Sequence, residues 1–343
     1  MLDDLKYIHD RDADDALGIV EKQPRQLTDT YELRGNTDFS GISNVVYAGM
    51  GGSALAAVLI HTWPSLQIPF EVVRDYDLPE YVGQNTLVIV ASYSGNTEET
   101  LSTLQQAEAR QAKIAVIAGG GKLLEATETK GYLLGVLPKA VQPRYAILSN
   151  YKLILQILVT AGLVDQTQLE VLASEAAFLE KSIAAWAPII PTKDNPAKQL
   201  ALECIGKSVV IYAGNKLYPA AYKWKIGFNE NAKQVAWAGQ YPEFNHNEFM
   251  GWTKQPVDKP YTVIDLRSSL EHERTQRRFV VSERLLSGVR PSPEIVEVQG
   301  ETTLQQLLWA LAFGDFVTIY TGIANGLNPA PVDLVEKFKK ELG

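Results

Sequence analysis

Ser92-Tyr93-Ser94-Gly95-Asn96-Thr97-Glu98-Glu99-Thr100 follows the apolar run Leu87-Val88-Ile89-Val90-Ala91 and precedes an amphipathic run from Thr100 to Gln111. The first run reads as a buried strand and the second as a helix. The stretch between them is therefore a strand-to-helix turn. Free backbone N–H groups at a helix start point outward and favour an anion. Ser92, Ser94 and Thr97 add neutral side-chain donors, so the turn describes a phosphate cradle that needs no metal. The plainer reading is a helix N-cap with a capping box, Ser94-x-x-Thr97 or Thr97-x-x-Thr100.

Outward from this turn, the chain alternates. Strands are expected at 44–48, 70–74, 87–91, 113–118 and 132–137. Helices are expected over 54–63, 100–111, 122–127 and 145–161, the last opened by Gln142-Pro143-Arg144. Strands apolar throughout, alternating with helices, predict a parallel sheet covered on both faces. Ligands of such sheets sit at the carboxyl ends of strands. Three polar turns fall there: Gly49–Ser53, Ser92–Thr97 and the Arg144 turn.

A second alternation follows. Helices are expected at 197–205, 217–231, 270–286, 302–323 and 332–342, with strands at 208–213, 234–238, 261–266 and 294–298. Ala213-Gly214 closes one of these strands as Ala48-Gly49 closes one in the first half. The chain thus divides into an arm over 1–40 with one helix from Asp12 to Lys22, a first doubly wound α/β domain over 41–164, a helical connector over 165–195 with one helix from 166 to 187, and a second domain over 196–343.

Bulk properties narrow the function. The 343 residues suit about two domains. A net charge of −8 argues against a general nucleic-acid binder. No apolar run approaches the roughly 20 residues of a membrane helix. Six aspartates within residues 1–20 predict no secretory or transit peptide. The single cysteine, Cys204, fits a reducing, cytoplasmic compartment and a small buried apolar role. Four scattered histidines offer no metal-ligand spacing.

Gly49-Met50-Gly51-Gly52-Ser53-Ala54 fits a relaxed dinucleotide fingerprint, with Glu71 placed for a ribose, so an NAD-dependent oxidoreductase is the rival enzyme class. That reading leaves the second, hydroxyl-rich turn without a task. Arg144 at the sheet edge is a candidate for steadying an oxyanion, against a solvated arginine at a helix start. Glu230, in Asn229-Glu230-Asn231-Ala232-Lys233, ends a helix where a carboxylate opposes the helix dipole, and is a candidate general base. His246 lies in the polar-aromatic stretch Tyr241–Trp252 beside Asn245, Asn247 and Glu248, in a loop of the kind that binds ligands or partners. His9, His61 and His272 read as structural.

Taken in order, G-M-G-G-S, S-Y-S-G-N-T-E-E-T, P-R-Y, N-E-N-A-K and N-H-N-E resemble the bifunctional phosphoglucose/phosphomannose isomerases, over about residues 40–342. The resemblance implies two tandem sugar isomerase (SIS) domains, each a doubly wound, flavodoxin-like parallel sheet, and a cofactor-free aldose–ketose isomerase. It implies that Gly51, Gly52, Ser53, Ser92, Ser94 and Thr97 hold a sugar phosphate. Arg144 would steady a cis-enediolate and Glu230 would carry the proton between C1 and C2. His246 would open the ring from the partner subunit of a homodimer, with Lys339, rather than Lys337, sharing that work. One departure stands out. The threonine to which the family's tolerance of both C2 epimers is ascribed lies near Pro331, where this chain has Ala330 and Val332. SIS domains also occur as non-catalytic sugar-phosphate binders, the alternative from outside enzymology.

Overall fold

The computed structural model describes residues 1–138, 142–254 and 260–342. They form two compact units, one of residues 23–176 and one of residues 1–22 with 177–343. The first forty residues, expected as one arm, are thus shared between the units.

The 23–176 unit holds β1 (Leu33–Arg34), β2 (Asn44–Gly49), β3 (Phe70–Val73), β4 (Thr86–Ser92), β5 (Lys113–Ala118) and β6 (Leu133–Val136). Their order is β1-β6-β5-β4-β2-β3. All pairings are parallel except that of β1 with β6. Every residue of β4 is buried, as a strand flanked by two others and covered on both faces requires. From β2 the chain moves outward to β3, then returns to the other side of β2 as β4. The order therefore reverses between β2 and β4, and a crevice opens beyond the carboxyl ends of strands at such a point. Gly49 registers with Ala91, so the turns leaving β2 and β4 emerge side by side.

The other unit holds β7 (Ser208–Ala213), β8 (Ala236–Gln240), β9 (Tyr261–Arg267) and β10 (Glu294–Glu297), all parallel, in the order β10-β9-β7-β8. Its centre is the helix Thr303–Ala324. With 22 residues and a mean hydropathy of 1.5, this helix meets the length and apolarity of a membrane span, which corrects the expectation that no run does so; its apolar window is wholly buried in the protein. Polar contacts interrupt the apolar surface. Lys223 pairs with Asp315 in the interior, Trp224 Nε1 donates to the Ala310 carbonyl at 2.8 Å, and Asn231 Nδ2 donates to Thr318 Oγ1 at 2.9 Å. The helix starts at Thr302, whose Oγ1 accepts from the Gln305 N–H at 3.1 Å. Thr302→Ala is expected to cost about 1 kcal/mol, read as a lower urea midpoint with unchanged circular dichroism.

The helix expected from Asp12 to Lys22 is shortened to Ala16–Glu21, and the one expected over the connector is divided. Asp12 does not lie within a helix. Its buried carboxylate accepts from the Ala16 and Leu17 N–H groups, each at 2.8 Å, so Leu5–Arg11 and Ala16–Glu21 are separate helices. The connector is Thr167–Ser174 followed by Ala176–Ala184. Cys204 is buried, and burial pushes its thiol well above the usual range.

Candidate active site

Ser92 is the last residue of β4 and is buried. Its Oγ lies 2.8 Å from Thr97 Oγ1 and 3.5 Å from Ser94 Oγ. The Gly95 N–H donates to Ser92 Oγ at 3.0 Å, and the Asn96 N–H to Ser94 Oγ at 3.3 Å. Thr97 is the N-cap of the helix Glu98–Ala109, but its hydroxyl caps nothing. Neither expected capping box forms: the hydroxyls bond to one another and to the turn, while Thr100 Oγ1 donates back to the Thr97 carbonyl at 2.7 Å. The helix thus starts without a side-chain cap beside three hydroxyls, the composition of an anion cradle. Glu98 in its first turn is engaged by the Tyr76 hydroxyl at 3.1 Å.

The turn is braced by Gly119-Gly120-Gly121. The Gly119 N–H donates to the Tyr93 carbonyl at 3.2 Å, the Leu123 N–H to the Gly95 carbonyl at 2.9 Å, and the Lys122 N–H to Asn96 Oδ1 at 3.1 Å. Asn96 is therefore a brace of the turn.

Gly51, Gly52 and Ser53 are not a loop, as expected, but the first turn of the helix Gly51–Val58, entered directly from β2 through Met50. A Cβ on Gly52 would stand 3.3 Å from both the Arg144 nitrogen and the Pro143 carbonyl carbon. Glycine there lets the Pro143–Tyr145 turn close onto the helix start, which brings Arg144 beside the glycine pair. Arg144 is only 4% exposed, so the solvated-arginine reading fails. Its guanidinium lies over the Tyr145 ring at 4.6 Å and donates to the Tyr145 hydroxyl at 3.3 Å. Asn150, which sequence reasoning missed, donates to the Ser53 carbonyl at 3.1 Å, and the Tyr47 hydroxyl donates to the same carbonyl at 2.9 Å. Its signal was an amide inside the otherwise apolar helix Ile147–Thr160. Glu71 of the dinucleotide reading is engaged by the Tyr81 hydroxyl, and His61 stands edge-on to Phe70.

In the other unit, Glu230 is the half-buried last residue of the helix Tyr218–Glu230. His246 is exposed at the end of a single 3-10 turn, Glu243–His246. The loop that carries it is fastened on both sides of the imidazole. Asn245 Nδ2 donates to Ser282 Oγ at 2.8 Å and its Oδ1 accepts from Arg278 at 3.1 Å. Glu248 accepts from the Tyr212 hydroxyl, which in turn accepts from Trp252 Nε1 at 2.9 Å. Burial, and then the Glu248 carboxylate, hold the Tyr212 phenol far above its usual range, so it stays a donor. Beneath the loop, the buried Arg290 guanidinium faces Tyr212, Phe244 and Trp252 at 5.6, 5.9 and 5.9 Å. These anchors give no local signal, since they come from strands and helices far along the chain. His272 is a helix N-cap, accepting from the Arg274 N–H at 3.1 Å. Lys339 and Lys337 lie on the exposed helix Asp333–Leu342, paired with Glu336 at 2.8 Å and Glu341 at 3.7 Å respectively.

Residues 39–129 match the SIS domain family, and residues 193–342 match the bacterial phospho-glucose isomerase C-terminal SIS domain family. A bifunctional phosphoglucose/phosphomannose isomerase of Caldicellulosiruptor bescii is 32% identical over 332 residues, 94% of this chain and 97% of its own. A D-glucosamine-6-phosphate 4-epimerase of Sulfolobus acidocaldarius is 32% identical over 246 residues, 68% of this chain and 75% of its own. The fold is shared with a glucose-6-phosphate isomerase like protein of Thermus thermophilus, at a TM-score of 0.66 and 16% identity, over 99% of this chain and 98% of that one. With near-complete mutual coverage at this identity, the chain belongs to the bifunctional phosphoglucose/phosphomannose isomerase family.

Proposed function

We propose that the protein interconverts glucose 6-phosphate, and with it mannose 6-phosphate, with fructose 6-phosphate without a cofactor, as a cytoplasmic homodimer. The observation that carries this reading is the uncapped helix start at Thr97, with three hydroxyls linked through Ser92 at the sheet's switch point. It is a neutral seat for a phosphate dianion, in a chain whose net charge of −8 offers no general attraction to one. Gly51, Gly52 and Ser53 complete the seat.

The chemistry then falls to residues of matching type. His246 from the partner subunit and Lys339 move protons on the ring oxygen and the C1 hydroxyl, opening the pyranose. Glu230 takes the C2 proton of the open-chain aldose. Its electrons form the C1–C2 double bond, and the C1 carbonyl oxygen gains negative charge. Arg144, buried and cationic, steadies that cis-enediolate. Return of the proton from Glu230 to C1, with transfer of the O2 proton to O1, gives the ketose. Engagement of Glu71 by Tyr81 weighs against a nucleotide ribose at the glycine turn.

A coupled assay supplied separately with glucose 6-phosphate, mannose 6-phosphate and D-glucosamine 6-phosphate tests the reading. Fructose 6-phosphate is expected from the first two. Ala330 and Val332 flank Pro331, where the family's epimer-tolerant threonine is ascribed, so mannose 6-phosphate is expected to be the slower substrate. Binding without turnover would favour a sugar-phosphate sensor, and change at C4 of the amino sugar alone would favour an epimerase.

A further inference from the structure

We propose that Lys233 is a positioning residue that sets Glu230 in register with the segment leading to the C-terminal helix; the inference rests on the role given to Glu230 above. Lys233 lies just beyond the helix that ends at Glu230, with φ of 53°. It lies two residues past the Asn231 C-cap, in a left-handed conformation that glycine adopts freely and that strains a residue with a Cβ. A lysine at that position costs conformational energy, and its side chain gives the reason. The ammonium donates to the Glu230 carbonyl at 2.8 Å and to the Asn328 and Pro329 carbonyls at 3.0 Å each. A cation at a helix carboxyl end also suits the helix dipole. The same amine thus holds the end of the helix bearing the proposed base and the residues just before Ala330. Ala330 is buried, and its N–H donates to Asn328 Oδ1 at 3.2 Å. Beyond it, the helix Asp333–Leu342 buries none of its residues, so its placement depends on this lead-in. Lys233 needs no contact with substrate to matter, since a misplacement of about 1 Å in a reacting group can lower a rate by about 100-fold.

Lys233→Gly separates this role from a merely structural one, because it relieves the backbone strain while deleting the ammonium. For this variant kcat for glucose 6-phosphate is expected to fall about 10- to 100-fold. KM is expected to stay within about twofold, since the phosphate seat lies on other elements, and the melting temperature is expected not to fall. Lys233→Arg, which keeps a donor of similar reach, is expected to recover most of kcat. Hydrogen exchange should quicken in Lys233→Gly both around Glu230 and from Asn328 to the C-terminal helix, and stay unchanged in β7. Full kcat in Lys233→Gly, or a lost kcat that accompanies early melting and is not recovered by arginine, would overturn the proposal. Unchanged exchange in both segments would overturn it as well. Absence of turnover in the unsubstituted protein would instead remove the isomerase reading, and the exchange measurement would still decide whether Lys233 ties the two segments.

Discussion

Glu230→Gln is expected to lower the conversion of glucose 6-phosphate to fructose 6-phosphate by about 1000-fold or more, within the range that a positioned general base supplies. The substitution keeps the shape and one hydrogen-bonding oxygen but removes the proton acceptor. Binding of fructose 6-phosphate, measured by calorimetry, should stay within about twofold, because the proposed phosphate seat lies on other elements. The stability change should run opposite to the activity change. Glu230 occupies the last position of its helix, where a negative charge meets the negative end of the dipole. Neutralising it should raise stability slightly, by about 0.3–1 kcal/mol. A helix end that carries a carboxylate at a cost to stability has a use for it. Loss of activity with a raised melting temperature would therefore mark a functional residue rather than a damaged fold. Retained activity would remove Glu230 as the base.

The parts of this fold legible in the sequence were those whose cause is local. Leu87–Ala91 is apolar at every position because β4 is interior to its sheet, and that pattern needs no knowledge of its neighbours. The hydroxyl turn was legible for a similar reason, since a strand and a helix flank it and fix its place at a carboxyl edge. Arg144 was legible as a residue but not as an environment. Its burial follows from the fit of Pro143 against Gly52, two segments far apart in the chain. The antiparallel β1 has only two residues, too few for periodicity to declare. Asp12 shows the limit of propensity: an aspartate expected to open a helix instead accepts from the first N–H groups of a helix that starts only at Ala16. Thr303–Ala324 was legible as a helix, while its apolarity all round reflects burial on every side by neighbours that the sequence does not order.

The same division explains what was missed at the candidate site. Glu230 and His246 were legible as candidates because their residue types stand out in place, a carboxylate at a helix end and an imidazole in a polar loop. What holds them comes from a distance. Lys233 reads as a solvated lysine until the Asn328 and Pro329 carbonyls are seen against it. Arg290 reads as a surface arginine until its three aromatic neighbours are assembled.

Gly95→Ala is expected to weaken phosphosugar binding by more than about 30-fold, and to do so without removing a single donor. Gly95 has φ of +71°, and a Cβ there would stand 1.6 Å from the Gly120 carbonyl oxygen. That neighbour is backbone, so no rotamer change relieves the overlap. Left-handed strain of roughly 1–2 kcal/mol adds to an overpacking cost of roughly 1–3 kcal/mol, giving a loss of about 3 kcal/mol. The larger consequence is geometric. Gly95 and Asn96 are the points where the Gly119–Gly121 turn grips the cradle, through the Leu123 and Lys122 N–H groups. Moving Gly95 away from Gly120 must also move Ser94 and the Gly95 N–H that Ser92 Oγ accepts. KM for glucose 6-phosphate should rise more than about 30-fold, the equivalent of losing roughly two hydrogen bonds at about 1 kcal/mol net each. Ser94→Ala, which deletes one hydroxyl and leaves the backbone in place, should raise KM by only about fivefold on the same scale. If the two variants bind alike, the hydroxyls alone make the seat. If Gly95→Ala is much the weaker, the seat is the backbone turn, and the hydroxyls refine what the helix start already provides.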